Sequence, residues 1–126
     1  MTSPASIYIF NESNSADTPI IARIGNTFLD RLKGLMFHST ILENEGLLLV
    51  LNHSSRLQSS IHMAFINYNL GIIWINDQFR VTQVEFAHRW ISILFPSKPA
   101  KYILETHPEN IPLFATGDKI RFEQIP

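Results

Sequence analysis

The feature that most constrains the fold is the apolar run at residues 70–75, Leu-Gly-Ile-Ile-Trp-Ile. Every residue in it except Gly71 has a large apolar side chain, and the run is too short for a buried helix. Continuous apolar runs of about four to eight residues are typical of strands that are covered on both faces. Five consecutive aliphatic residues at positions 47–51 have the same property. The two runs therefore predict central strands of a sheet.

Shorter patterns predict further strands around this centre. The predicted strands cover residues 7–10, 19–24, 79–86, 102–105 and 119–125, where β-branched and aromatic residues are frequent. The first two form a loose hairpin. Residues 76–78 form a turn between the apolar run and its returning strand, with a bulge near Gln83. Residues 87–100 contain two prolines and are predicted to be mostly loop.

One segment has the period of a helix. Apolar residues recur at helical spacing, at Phe28, Leu29, Leu32, Leu35 and Met36. The predicted fold class is therefore mainly β: a compact antiparallel β-barrel or sandwich of about seven or eight strands, with one short helix near residues 27–37. Neither a linker nor a repeat is visible, so residues 1–126 are predicted to form a single domain.

The composition excludes several kinds of site and partner. The chain has no cysteine, which excludes disulfides, thiolate nucleophiles and cysteine-bound metals. A net charge of −1 argues against nucleic acid or an anionic membrane as partner. No apolar run reaches the roughly 18 residues that a membrane span needs. We therefore expect a soluble, cytoplasmic protein.

The motifs of common enzymes are missing from the sequence. None of the five histidines forms an i, i+4 pair or lies near clustered carboxylates, and the serines at 54, 55, 59 and 60 have no G-x-S-x-G motif around them. No glycine-rich phosphate loop is present. We therefore predict no catalytic residue, no metal ligand and no cofactor. A hydrolase with a histidine base or a histidine-bound metal remains the alternative.

Residues 62–69 carry the strongest candidate binding site. His62, Asn67 and Asn69 alternate with large apolar residues just before the central strand. Such a mixture is expected where a core opens to a ligand, although the two amides could instead satisfy a bend of the backbone. We predict a site formed by these three residues with Arg31 and His38 from the helix. Its ligand would be a small polar molecule or an extended peptide added to a sheet edge.

A second candidate is the apolar run from Trp90 to Phe95, in a loop that contains two prolines. An exposed aromatic and aliphatic run often marks an interface, here for a possible homo-oligomer. The alternative is that the run folds back and covers the core. The favoured function is thus a non-enzymatic ligand- or peptide-binding accessory module, and a structural or oligomerising domain is a further alternative.

Several motifs, in this order, resemble the bacterial and archaeal domain-of-unknown-function 192 family. They are Ala22-Arg23, Phe28-Leu29 with Arg31-Leu32-Lys33-Gly34-Leu35-Met36, Glu45-Gly46-Leu47-Leu48-Leu49, Ile61-His62-Met63, Leu70 with Ile72-Ile73, Tyr102-Ile103-Leu104-Glu105 and Gly117-Asp118. The resemblance covers about residues 20–122. It implies a compact β-barrel or sandwich whose short helix contains Arg31 to Met36, and it implies no activity.

The chain also departs from the pattern of this family. Gly71 stands where relatives usually have an aspartate, His38 replaces a common basic residue, and Asn67 replaces a common arginine. These changes leave two interpretations open, a retuned site or a lost one. A catalytic role that needed the missing acid is in doubt for this chain.

Overall fold

The computed structural model describes residues 6–14, 18–25, 41–55, 61–63 and 66–126. For residues 52–55 and 62 it describes the backbone alone. The helix predicted near residues 27–37, with the site residues Arg31 and His38, lies outside the described residues.

The regular secondary structure of the described residues is almost entirely β-strand, which confirms the mainly-β prediction. The strands are β1 (Ser6–Asn11), β2 (Ile20–Gly25), β3 (Glu45–Ser55), β4 (Ile61–His62), β5 (Leu70–Ile75), β6 (Val81–Ala87), β7 (Ile93–Leu94), β8 (Ala100–Thr106) and β9 (Ile120–Gln124). Seven of them form one sheet in the order β6-β5-β8-β3-β2-β1-β9, and β4 pairs with β7. Within these ranges, no helix is long and apolar enough to cross a membrane.

One strand pair departs from the predicted antiparallel arrangement. β2 and β3 run parallel, with Ala22 beside Gly46, whereas the other named pairs are antiparallel. A parallel pair needs a long crossover connection, which residues 26–44 are long enough to supply. The sheet is not closed into a barrel. Its two outer strands approach each other only at one end, through a bridge between Arg80 and Lys119.

Both faces of the sheet are covered, as the apolar runs predict. All six residues of β5 are buried. Ile72 and Trp74 belong to one core cluster, and Ile73 and Ile75 belong to the other. Because successive side chains of a strand point to opposite faces, each face of β5 contributes to its own hydrophobic core. This arrangement explains why β5 has no polar position.

The hairpin between β5 and β6 has the predicted bulge and an unpredicted aromatic residue in its turn. The register shifts between the pairs Trp74–Gln83 and Ile75–Val81, which confirms a bulge near Gln83. Oδ1 of Asn76 accepts the backbone N–H of Arg80 at 3.0 Å and closes the turn. Phe79 has a φ of 61°, in the left-handed region that bulky residues rarely adopt. Packing of its ring therefore has to offset the cost of this backbone conformation.

A 3₁₀-helix at Pro108–Leu113 follows β8, where the sequence indicated only an interruption by prolines. Nδ1 of His107 caps it by accepting the backbone N–H of Glu109 at 3.0 Å. The helix packs against β5 so closely that a Cβ added at Gly71 would lie 2.8 Å from Cγ1 of Ile111. The close contact with Ile111 is therefore a steric reason for glycine at position 71.

Candidate functional site

Two side-chain contacts join the segment around Asn67 to the loop that contains Trp90. Nε1 of Trp90 donates a hydrogen bond to Oδ1 of Asn67 at 2.9 Å. The backbone N–H of Arg89 donates to Oδ1 of Asn69, also at 2.9 Å. The two asparagines from the predicted site thus hold the loop that the sequence predicted separately as an interface.

The backbone links the same two segments. In the small sheet, Ile61 of β4 faces Leu94 of β7, and His62 faces Ile93. The N–H of Met63 donates to the carbonyl of Ser92 at 2.9 Å. Segments that are far apart in sequence thereby form one continuous element above the main sheet.

This element is buried on its inner side and exposed on its outer side. Ile61, Met63, Ile66 and Tyr68 are buried in the core cluster that also contains Trp74. Apolar side chains on the outer side are exposed by 51% at Trp90, 74% at Ile91, 58% at Ile93 and 56% at Phe95. Phe86 in β6 is also exposed, but it pairs with Gly71 and shares the opposite face of the main sheet with it. We call the first four residues, in the segment that follows Phe86, the 86–95 surface. Exposed apolar residues that lie close together tend to mark a contact with a partner.

The charged groups beside the 86–95 surface are mainly cationic. Arg89 and Lys98 are exposed, and neither forms an ion pair with a described residue. Glu85 is exposed and accepts a hydrogen bond from Nε2 of Gln83 at 3.3 Å. His88 is exposed, and its Nδ1 lies 3.0 Å from the carbonyl oxygen of Arg89. The edge of this surface thus offers two cations that have no charged partner among the described residues.

The structure brings together only part of the predicted site. Asn67 and Asn69 both contact the 88–92 loop, where Oδ1 of Asn67 accepts from the Trp90 side chain and Oδ1 of Asn69 accepts from the Arg89 backbone. For His62 the structure describes only the backbone, which pairs with β7. Trp90 and Phe95 keep about half of their surface exposed, although Trp90 also contacts Asn67.

Sequence reasoning missed a buried carboxylate, Glu105. In the sequence it ends the motif Tyr102-Ile103-Leu104-Glu105, and in the structure it is fully buried in β8, beside Leu47 of β3 and Ile72 of β5. By strand alternation it lies on the same face as Ile103. Burying a carboxylate is costly unless the group is paired or hydrogen-bonded. The available signal was an acidic residue directly after the apolar residues of a central strand.

A groove at the outer strand β9 was also missed. It encloses about 330 Å³ and is lined by Glu12, Phe79, Lys119, Ile120, Arg121 and Phe122. The Phe79 ring stacks on Tyr102 with ring centroids 5.4 Å apart and contacts the edge of Phe122 at the same distance. These contacts hold Phe79 in its left-handed conformation. Among the described residues, no group of three or more His, Asp or Glu residues could hold a metal ion.

The chain is similar to proteins of one uncharacterised family. The model of the DUF192 family, described as "Uncharacterized ACR", matches residues 9–122. A UPF0127 protein of Thermococcus gammatolerans is 34% identical over 97 residues, 77% of this chain, and the chain spans 61% of that relative's length. A UPF0127 protein of Pyrococcus horikoshii is 33% identical over 118 residues, which cover 90% of this chain and 97% of the relative.

Solved structures share the fold at low sequence identity. A Sinorhizobium meliloti protein, provisionally described as a transcription regulator, matches with a TM-score of 0.83 and 16% identity, covering 97% of each chain. A Novosphingobium aromaticivorans protein of unknown function matches with a TM-score of 0.72 and 20% identity, covering 92% of this chain and 83% of the other. At these identities the likeness extends to the fold alone.

Proposed function

This chain belongs to the DUF192 family, and we propose that it is a non-enzymatic binding module that takes an extended segment of a partner protein on the 86–95 surface. The observation that carries the proposal is the hydrogen bond between Trp90 and Asn67. It joins the predicted ligand site to the predicted interface, so that both belong to one surface.

The first support is a preorganised apolar anchor. Interfaces obtain most of their binding energy from a few large side chains, among which tryptophan is enriched. Asn67 fixes the indole of Trp90 before any partner arrives, so less side-chain entropy is lost on binding. Ile91 and Ile93 extend the apolar contact area beside it.

The second support is the backbone of β7. In an antiparallel pair, hydrogen-bonded positions alternate with positions whose N–H and C=O groups point away from the partner strand. The bond between Met63 and Ser92 makes theirs a hydrogen-bonded position. The N–H and C=O of Ile93, one residue further, therefore point away from β4. An extended peptide could pair with them, which is the mode called β-augmentation.

The rim charges favour a partner of defined chemistry. Arg89 and Lys98 are exposed cations without a charged partner among the described residues. Electrostatic complementarity then favours a segment that carries both apolar and acidic residues. We further propose that the protein acts in the cytoplasm, since a chain with no cysteine fits a reducing compartment.

The test is selection of peptides followed by binding measurements. A phage library of random 12-residue peptides is panned on the wild-type protein, and enriched peptides are synthesised with a fluorescent label. We expect enrichment of apolar-acidic sequences, with binding by anisotropy weakened at least about tenfold in Ile93→Glu and in Arg89→Glu.

The matched control is Ile21→Glu, because Ile21 is also a strand isoleucine with an exposed side chain but lies in β2, outside the 86–95 surface. It should bind the peptides as the wild type does. Failure to enrich any peptide, or equal binding by the Ile93→Glu and Ile21→Glu variants, would refute the proposal.

A further inference from the structure

The strand β9 has one paired edge and one open edge. On one side it pairs with β1 from Asn11–Ile120 to Ile7–Gln124. On the other side no strand of the described residues pairs with it, apart from the bridge between Arg80 and Lys119 just before the strand. Open edges of this kind can accept a further strand.

Hydrogen bonds near the bridge identify the backbone groups on the open edge. The N–H of Ile120 donates to the carbonyl of Phe79 at 2.8 Å, so Ile120 directs its backbone groups to the open side. The N–H of Glu12 donates to the carbonyl of Lys119, so the backbone carbonyl of Lys119, the residue before Ile120, faces β1. By alternation, the N–H and C=O of Phe122 and Gln124 also face the open edge.

The groove leaves room for an added strand beside this edge. Its space of about 330 Å³ is lined by Phe122 from one face of β9 and by Arg121 from the other. Glu123 stands on the same face as Arg121, and both side chains are about half exposed. The edge therefore offers backbone groups, space beside them and one charge of each sign on one face.

We propose that a second copy of this chain pairs its β9 with this edge, antiparallel and around a two-fold axis at Phe122. In that register Arg121 of each copy lies directly opposite Glu123 of the other copy. Both ion pairs form at once because the contact is symmetric. Opposite charges directly across a strand pair stabilise it, and like charges destabilise it.

The positions of Arg121 and Glu123 along β9 favour a second copy of this chain as the added strand, and they favour antiparallel pairing. A parallel pairing in register would place Arg121 beside another Arg121. An uncharged or singly charged peptide would leave one of the two side chains unmatched. Within one chain Arg121 already contacts Glu12 at 3.1 Å and Glu123, but such exposed pairs contribute only about 0–1 kcal/mol and remain free to rearrange.

The contact is short, which sets its expected strength. β9 has five residues, and Phe79 already lies opposite Ile120, so the symmetric pairing is limited to residues 121–123. Interfaces below roughly 1,000 Å² are typically weak or transient. The dimer should therefore form reversibly and at high protein concentration.

Sedimentation equilibrium over a wide range of protein concentrations tests the proposal. We expect the wild type to self-associate, and Arg121→Glu and Glu123→Arg each to weaken association at least about tenfold, because each places like charges opposite one another. An equimolar mixture of the two variants should associate again as a heterodimer, since the introduced charges then face opposite ones. The control is Arg23→Glu, which reverses the charge of an exposed arginine on β2, and it should dimerise like the wild type.

Amide hydrogen exchange tests the backbone contact without a substitution. In this register the N–H of Phe122 in each copy donates to the carbonyl of Phe122 in the other copy. Exchange at Phe122 should therefore slow as the protein concentration rises into the dimer range, whereas exchange at Glu123, whose N–H faces β1, should not change. The proposal is wrong if the wild type is monomeric at every concentration, if its dimer persists in both charge variants, if the mixture does not associate, or if Trp90→Glu and not Arg121→Glu abolishes the dimer.

Discussion

Oδ1 of Asn67 accepts a hydrogen bond from the indole N–H of Trp90 at 2.9 Å, across 23 positions of sequence. This contact fixes an exposed aromatic side chain on a loop whose backbone is also held by Asn69 and Met63. It gives the oxygen of the Asn67 amide a partner within the chain. Asn67 therefore acts on the 86–95 surface through Trp90.

Replacing Asn67 should release the Trp90 indole. Asn67→Leu removes the acceptor, so the Trp90 indole resonance in a ¹⁵N–¹H correlation spectrum should shift and exchange faster with solvent, with a loss of about 1 kcal/mol in the free energy of unfolding. Asn67→Asp keeps an acceptor oxygen and should preserve the protection. The chain has two tryptophans, and Trp90→Phe assigns the resonance. An unchanged exchange rate in the leucine variant would contradict the contact.

Two isoleucines of the small sheet should differ sharply in their contribution to stability. Ile61 is 1% exposed and belongs to the core, so Ile61→Ala should lower the free energy of unfolding by about 2–4 kcal/mol. Ile93 lies on the facing strand and is mostly exposed, so Ile93→Ala should change it by less than about 0.5 kcal/mol. Urea unfolding measures both. Comparable losses would mean that the 86–95 surface is not exposed.

Gly71 should be energetically coupled to Ile111. Gly71→Ala forces a Cβ to within 2.8 Å of the Ile111 side chain and should cost about 1–3 kcal/mol, with Gly71→Asp costing more. Adding Ile111→Ala should recover part of that loss, giving a coupling of about 0.5–2 kcal/mol in a double-mutant cycle of urea unfolding.

The control pairs Ile111→Ala with Gly117→Ala. Gly117 has a φ of 96° and no atom near its missing Cβ, so its substitution strains the backbone locally. The two losses should then add. A coupling no larger than that of the control pair would show that contact with Ile111 is not what requires glycine at position 71.

Glu105 should matter to stability more than an exposed glutamate does. Glu105→Ala truncates a fully buried side chain and should lower the free energy of unfolding by at least about 2 kcal/mol. Glu105→Gln keeps the volume and should cost less. Glu85, exposed in β6, is the matched control, and its alanine variant should stay within about 0.5 kcal/mol of the wild type. Equal losses at the two positions would contradict the burial of Glu105.

Local patterns in the sequence were sufficient for most of the strands. The run at Leu70–Ile75 specified a strand buried on both faces, and the alternation of Ile120 and Phe122 with Arg121 and Glu123 specified an outer strand with one polar face. The predicted bulge near Gln83 was found for the same reason. Each of these features depends on the period of side chains along a strand, which neighbouring residues carry.

Other features had no such local signal. The parallel pairing of β2 with β3 depends on how the intervening chain crosses over, and nothing in the two strands specifies it. The requirement for glycine at position 71 comes from Ile111, 40 positions later by residue number. The open edge of β9 follows from the strand order of the whole sheet.

The sequence by itself determined the mainly-β class, the central strands and the residue types available for binding, because these follow from local periodicity and composition. Only the tertiary structure decided that Asn67 holds Trp90, that Glu105 is buried between two strands, and that β9 lies at the end of the sheet. These relationships join residues that are distant in sequence, and hydrogen-bond geometry and packing select them only once the chain has folded.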